Sequence, residues 1–319
     1  MSRTVAVTGA TGFVGRHTVA ALAAQGWNLR VLARSQPAHV LWKHFQPEVV
    51  LGSLDDTRSL QKLVKGVDAV LHLAGAIKAR DEAEFLRINR DGSRAVAEAV
   101  LKAAPNAHFL HVSSLAAREP QLSGYAASKR LGEEAVFAVL GHGRVSVIRP
   151  PAVYGPGDRE TLVFFQLARQ RWMPLLGPDS ARIALIHVAD AASMLAAQLA
   201  SAPSGQVQYI ADGHPAGYGW RDILGAAAAA VGNTRPRFVQ VPRTVLSGLG
   251  HTAGAAAKLA GQAAMFNSGK LRELLHEDWS VPETGLLRLK GAEPVHMLSA
   301  GFRTTAAWYA EARWLRLID

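Results

Sequence analysis

The chain has 319 residues, 49% apolar and 19% charged, a balance that supports a sizeable core in one large or two modest domains and excludes a disordered chain. It contains no cysteine, which excludes a disulfide framework, thiolate metal ligation and a cysteine nucleophile, and fits a reducing compartment. The formal charge is +10, but the basic residues are dispersed without like-charge runs or interleaved aromatics, so nucleic acid is not the expected partner.

The opening MSRTVAVTGATG runs straight into a strand pattern. It lacks a basic segment followed by an apolar stretch, so no signal peptide is expected. No uncharged apolar run reaches about 18 residues, so no transmembrane span is expected either. The expected location is the cytoplasm.

Thr4–Thr8 reads as a buried strand, followed by a glycine-rich turn and an apolar-periodic helix from about Gly12 to Gln25. Further short apolar strands are expected at Leu29–Ala33, Val49–Leu51, Ala69–Leu73, Phe109–Val112 and Val145–Arg149. Helices are expected at Leu54–Val64, from Glu82 to Ala103, and at Tyr125–Leu140. Strands alternating with helices predict a Rossmann-type α/β fold, a doubly wound parallel sheet. The strands are uniformly apolar, as required when both faces of a sheet are covered.

After Pro150 the rhythm changes. Residues 150–157 read as a loop, Leu162–Gln170 as a helix, Ile183–His187 as a strand and Ala189–Ala200 as a helix. From Pro203 the pattern is irregular, apart from a helical alanine patch at 226–230. The expected division is a dinucleotide-binding domain over 1–150, with 183–200 returning to it. A smaller, interleaved substrate lobe takes most of 151–319.

Gly9, Gly12 and Gly15 lie between the first strand and the first helix. Gly9 permits a tight turn, Gly12 a close backbone approach to a diphosphate, and Gly15 close packing of helix on strand. The helix N-terminus offers unpaired N–H groups and partial positive charge to the phosphates. The second strand ends Val31-Leu32-Ala33-Arg34-Ser35, without the acid that would bond a ribose 2′-hydroxyl. Arg34 can instead serve a 2′-phosphate, so NADP is expected over NAD. His39 and Lys43 are either helpers there or solvent-facing side chains.

Tyr125 and Lys129 stand four residues apart, one turn apart on a shared helix face. A cation beside a phenol is expected to lower its pKa toward working pH, which suits general acid–base catalysis. Ser113 and Ser114 follow the fifth strand at the carboxyl edge, where open parallel sheets bind ligands. A serine there can bond a carbonyl or alkoxide oxygen.

With these motifs in order, the sequence resembles the extended short-chain dehydrogenase/reductases, which include NAD(P)-dependent epimerases and dehydratases. The resemblance is strong from Thr4 to about Asp190 and weaker beyond. It implies a catalytic set of Ser114, Tyr125 and Lys129, with Lys129 also holding the nicotinamide ribose. Cofactor contacts are implied at Gly9, Thr11, Gly12, Phe13, Val14 and Gly15, at Leu73, Ala74 and Gly75 ending the fourth strand, and at Pro150 and Val153 near the nicotinamide. Asn89 takes the place of an asparagine that steadies the active-site framework. His187-Val188-Ala189-Asp190 resembles the family's H-V-D-D stretch, with Ala189 in place of one acid. Ser53 stands where an adenine-contacting Asp is usual, leaving the backbone at Ser53 and Leu54, or Asp55, for that contact. Pro150 and Pro151 occupy a region where nucleotide-sugar members carry an Asn.

The expected function is NADP-dependent hydride transfer between nicotinamide and a ketone or secondary alcohol, with no metal. The alternatives are a nucleotide-sugar epimerase or dehydratase and a non-catalytic NADPH-binding sensor or assembly subunit. The expected partner is a small carbonyl or alcohol substrate, and a homodimer is the expected assembly. Val245–Phe266 has an apolar stripe at helical spacing. It reads as a buried helix of the second lobe, as an apolar wall or lid over the substrate, or as a membrane-surface contact.

Overall fold

The computed structural model describes residues 3–241 and 268–318. The segment Val245–Phe266 therefore lies outside the described residues. The first half alternates as the apolar pattern dictates: β1 (Thr4–Thr8), α1 (Phe13–Ala24), β2 (Asn28–Ala33), β3 (Glu48–Leu51), α2 (Thr57–Val64) and β4 (Ala69–His72). Next come α3 (Glu82–Phe85), α4 (Gly92–Ala103), β5 (His108–Val112), α5 (Gly124–Leu140) and β6 (Val145–Arg149). The second half contains β7 (Ala152–Tyr154), α6 (Leu162–Ala168), β8 (Trp172–Leu175), β9 (Arg182–Ile183) and β10 (Leu185–His187). It continues with α7 (Val188–Ala200), β11 (Val207–Tyr209), α8 (Trp220–Ala230), β12 (Arg237–Gln240) and β13 (Asp278–Trp279). Helices Ser268–Leu275 and Leu298–Glu311 flank this last strand.

The main sheet has seven parallel strands in the order β11-β6-β5-β4-β1-β2-β3. The order reverses between β1 and β4, which opens a crevice at their carboxyl ends. One face buries Val5, Val7, Leu71, Leu110 and Ile148 against α1 and α7. The other buries Ala6, Val70, Phe109 and Val147 against α2, α4 and α5. Burying both faces explains the absence of polar alternation in these strands. A separate core around Tyr154, Phe165, Met173, Trp220, Phe302 and Tyr309 holds the second lobe together.

Several boundaries differ from the expectation. The helix expected from Leu54 begins at Thr57, because the Asp56 carboxylate accepts from Arg58 N at 3.0 Å and fixes the start. The single helix expected over Glu82–Ala103 is α3 and α4 joined by a π-helical stretch, Leu86–Asp91. The expected loop over 150–157 contains β7, whose partner is β10. The strand expected at Ile183–His187 is two short strands, β9 and β10. The region read as irregular after Pro203 returns to the main sheet through β11, paired with β6. Among the described residues, no helix is long and apolar enough to cross a membrane.

Candidate active site

The glycine turn carries the geometry its sequence predicts. Gly9 has φ +73°, and a Cβ there would stand 2.6 Å from Ala74 N, so the turn is pressed against the end of β4. A Cβ on Gly15 would stand 2.0 Å from Gly9 O, so any side chain would push α1 off the turn. Gly12 differs: its Cβ would meet only Gly9 O, at 3.2 Å. Space is open on that side. The helix begins there without a side-chain cap and without an acid in its first turn. Its unpaired N–H groups and partial positive charge face that space. An uncapped helix start beside a glycine cradle fits the diphosphate of a dinucleotide.

Thr11 is exposed, and Phe13 and Val14 are half-buried at the helix start. Arg34 follows β2, is exposed, and forms no ion pair among the described residues. His39 is engaged locally: it accepts from Leu41 N at 3.1 Å and contacts Arg16 Nη1 at 3.1 Å. Ser53 and Leu54 follow β3, and the Leu54 side chain lies against Gly92. Asp55 accepts from Arg87 Nη1 at 2.9 Å, so its carboxylate is already paired.

Helix α5 carries the phenol and the ammonium. Ser123 starts it, accepting from Ala126 N at 2.9 Å. Positive-φ Gly141 (+69°) ends it, donating to Phe137 O at 2.9 Å. Lys129 is buried and donates to Val112 O at 2.8 Å, at the carboxyl end of β5. Ser114, two residues beyond, is half-buried, and its hydroxyl accepts from Ala116 N at 3.2 Å. Leu115 N donates to Pro150 O at 2.7 Å, which brings the segment after β6 alongside. Val153 pairs in register with Ile186. A Cβ on Gly75 would stand 3.0 Å from Asn89 Oδ1 and 3.6 Å from Lys129 Nζ. The ends of β4 and β5 and the face of α5 thus meet at one point.

Asn89 makes that junction rigid. Its Oδ1 accepts from Ala76 N at 2.8 Å, and its Nδ2 donates to Ala76 O at 3.0 Å and to Ser128 Oγ at 2.9 Å. It sits within the π-helical stretch, whose wider turn re-aims a side chain relative to the regular helix on either side.

Electrostatics correct one expectation. Burial pushes the Tyr125 phenol up to about 12, and the Glu273 carboxylate adds to this, while hydrogen bonding with Ser114 pulls the other way. Burial brings Lys129 down to about 8, partly offset by Glu133. The expected lowering of the tyrosine by the lysine is not found: Lys129 Nζ is turned to Val112 O, and desolvation of the phenolate sets the direction. Tyr125 is therefore a protonated phenol across the physiological range. His72 and His111 stack at 5.3 Å beneath the site and are held neutral by burial, with Lys129 contributing.

Sequence reasoning missed two sets of residues. Glu133 lies four residues beyond Lys129 and pairs with Arg149 through two hydrogen bonds, 2.8 and 2.6 Å. Ser113 donates to the same carboxylate, and Arg149 donates to Tyr209 Oη at 3.1 Å. The pair is almost fully buried, and removing one partner would cost about 3–5 kcal/mol. Its i, i+4 spacing from Lys129 was the available signal. The other is Glu273, from helix Ser268–Leu275, which accepts from Ser123 Oγ. No local pattern announces a contact across 150 residues.

With the geometry in place, comparison with known proteins is informative. The NAD dependent epimerase/dehydratase family matches residues 5–211. A ceramide reductase of Caulobacter vibrioides (strain NA1000) is 46% identical over 312 residues, covering 98% of this chain and 96% of its own. A 4-hydroxy-2-methyl-3-oxo-4-farnesyl-3,4-dihydroquinoline-1-oxide ketoreductase of Stigmatella aurantiaca is 30% identical over 236 residues, 66% of this chain and 68% of its own. The solved structure of gox2253 shares the fold with a TM-score of 0.75 at 19% identity, covering 98% of this chain and 99% of that one. The chain belongs to the NAD dependent epimerase/dehydratase family and is an NAD(P)-dependent oxidoreductase.

Proposed function

We propose that the protein reduces the ketone of a ceramide-class lipid to a secondary alcohol, using NADPH. The observation that carries this is the 46% identity to a ceramide reductase over nearly the full length of both chains. Its support in this chain is the convergence of Ser114, Tyr125 and Lys129 at the carboxyl edge of the sheet.

When bound, NADPH would supply the hydride for carbonyl reduction. Gly9, Thr11, Gly12, Phe13, Val14 and Gly15 hold the diphosphate. Ser53 and Leu54 flank the adenine, Leu73, Ala74 and Gly75 line the dinucleotide, and Pro150 and Val153 border the nicotinamide. Arg34 takes the 2′-phosphate, as its exposure and the lack of a neighbouring acid favour. Ser114 donates a hydrogen bond to the carbonyl oxygen and orients it. Tyr125 gives its proton to that oxygen as negative charge develops there. The resulting phenolate is stabilised by the ammonium of Lys129, one turn along the same helix. The phenol's high pKa suits this direction, since the acid is fully protonated when reduction begins.

The division of labour follows the cores. Residues 1–150, with 183–200, hold the dinucleotide, and most of 151–319 shapes the substrate pocket. The test is purified protein incubated with NADPH and a keto-ceramide in detergent. Loss of NADPH and formation of the hydroxylated lipid by mass spectrometry are expected. Turnover of nucleotide sugars with no lipid product would overturn the reading.

A further inference from the structure

The second lobe presents a surface that the chemistry at the sheet edge does not use. β8 and β12 form a two-stranded parallel ribbon, with Trp172 opposite Arg237 and Pro174 opposite Val239. Met173 and Leu175 point inward to the lobe core. By strand alternation the opposite face carries Trp172, Pro174, Arg237 and Val239. Trp172 is 56% exposed and Val239 41%. The Arg237 guanidinium lies 5.2 Å from the centre of the Trp172 ring.

Arg169, Arg171 and Arg235 are exposed on the approaches to the two strands. Arg237 N donates to Arg171 O at 2.9 Å, and Asn233 Nδ2 donates to Ala168 O at 2.8 Å and to Gln170 O at 3.0 Å. These bonds tie the approaches to both strands together. All four arginines are exposed, and none forms an ion pair among the described residues. No acidic residue occurs in 162–178 or 231–241. Nearby Arg221, by contrast, is paired with Asp179 at 3.1 Å. This surface therefore combines unneutralised charge with an exposed indole, an exposed valine and a half-buried proline.

We propose that this face docks on an anionic phospholipid bilayer. Arginines meet the lipid phosphates, Trp172 sits at the headgroup level, and Pro174 and Val239 reach toward the acyl boundary. Nucleic acid would use the charge but has no use for an exposed valine among the arginines. An acidic protein would not require an indole at the centre of the patch. The choice of a bilayer also rests on the proposed lipid substrate, which resides in a membrane.

The experiment is co-sedimentation of the full chain with vesicles of phosphatidylglycerol and, separately, of phosphatidylcholine. Binding to the anionic vesicles alone, weakened by raised salt, is expected. Arg235→Glu with Arg237→Glu should reduce it at least about tenfold, and Trp172→Ser should reduce it at unchanged charge. Unaltered thermal unfolding and unaltered reduction of a water-soluble ketone would show that the variants are folded. Absent binding, or binding equal in wild type and variants, overturns the proposal. So does binding to a DNA duplex with no binding to vesicles. Vesicle binding by a protein that reduces no keto-ceramide supports the docking face and sinks only the substrate reading.

Discussion

Glu273 in the second lobe accepts a hydrogen bond from Ser123, the residue that caps the helix carrying Tyr125 and Lys129. Both side chains are buried. The carboxylate thus anchors the start of the catalytic helix and holds negative charge near the phenol, raising its pKa. Lys270 approaches its other oxygen at 3.2 Å. The second lobe is thereby linked to the helix that carries Tyr125.

Glu273→Gln keeps the shape and removes the charge. The tyrosine pKa should then fall. In the alcohol-oxidising direction, where the tyrosine must act as a base, the rise of rate with pH should move to lower pH. A pH profile of oxidation in wild type and variant reads this directly, and an unmoved profile would show that the carboxylate does not act on the phenol. Ser123→Ala should cost about 0.5–2 kcal/mol of stability through loss of the cap, measurable by urea unfolding.

Tyr125→Phe is expected to lower turnover by about 10²–10⁴-fold, the usual contribution of a general acid. Cofactor affinity should stay nearly unchanged, as fluorescence titration would show. Lys129→Met should harm both, since the proposed ribose contact would go as well. In the wild type, kcat/KM for reduction should be level below about pH 8 and decline above it as Lys129 loses its proton. Tyr125, at about 12, stays protonated throughout that range. A phenylalanine variant with near-native rate would mean that the proton reaches the substrate by another route.

The core of the sheet and the glycine turn were legible because they are written in contiguous residues. Thr4–Thr8, Ala69–His72 and Val145–Arg149 are apolar runs with no competing reading, and Gly9, Gly12 and Gly15 follow the first of them directly. The shared helix face of Tyr125 and Lys129 follows from their spacing, and only the glycine turn and the serine upstream single the pair out. β11 was not, because Val207–Tyr209 is too short to show a period. It becomes a strand only because β6 offers it an edge. The π-helical stretch around Asn89 was hidden because its residues are ordinary helix formers. Tertiary bonds from Asn89 to Ala76 and Ser128 hold it. The height of the tyrosine pKa was misread because spacing reports charges and says nothing of burial.

If Arg34 selects NADP as proposed, Arg34→Glu should reverse much of that preference over NAD. The arginine is exposed at the end of β2, free to offer its donors to a 2′-phosphate. Replacing a charge-assisted bond by repulsion should weaken NADP by roughly 1.5–3 kcal/mol, about tenfold or more. NAD, which lacks that phosphate, should lose little. Calorimetry with both cofactors on both proteins tests this. Equal affinities in the wild type would remove the role assigned to Arg34.

Acid should destabilise the fold, and His187 is one cause that can be isolated. It is buried at the N-terminus of α7, where its side chain accepts from Ala189 N at 3.3 Å. Its ring stacks on His296 with centroids 4.0 Å apart. Burial is the main reason its pKa falls to about 4, with His296 and His17 adding to the fall and Asp190 opposing it. In the unfolded chain it titrates near 6.5. Between these values the unfolded state binds a proton that the folded state refuses. Stability is therefore full above pH 6.5 and lost as pH falls through the window down to about 4. The loss from this residue alone is on the order of 3 kcal/mol at about 1.4 kcal/mol per pH unit. His72, held down to about 3, works in the same direction and extends the window lower. Asp158 and Asp212 oppose it, because burial raises their pKa above 3.8 and the folded state then takes up protons more readily than the unfolded chain. His187→Gln should begin less stable at pH 7, having lost the stack, yet lose less on going to pH 5. Urea midpoints of wild type and variant at pH 7, 6 and 5 give the two slopes. Parallel slopes would show that the proton taken up on acid unfolding goes elsewhere.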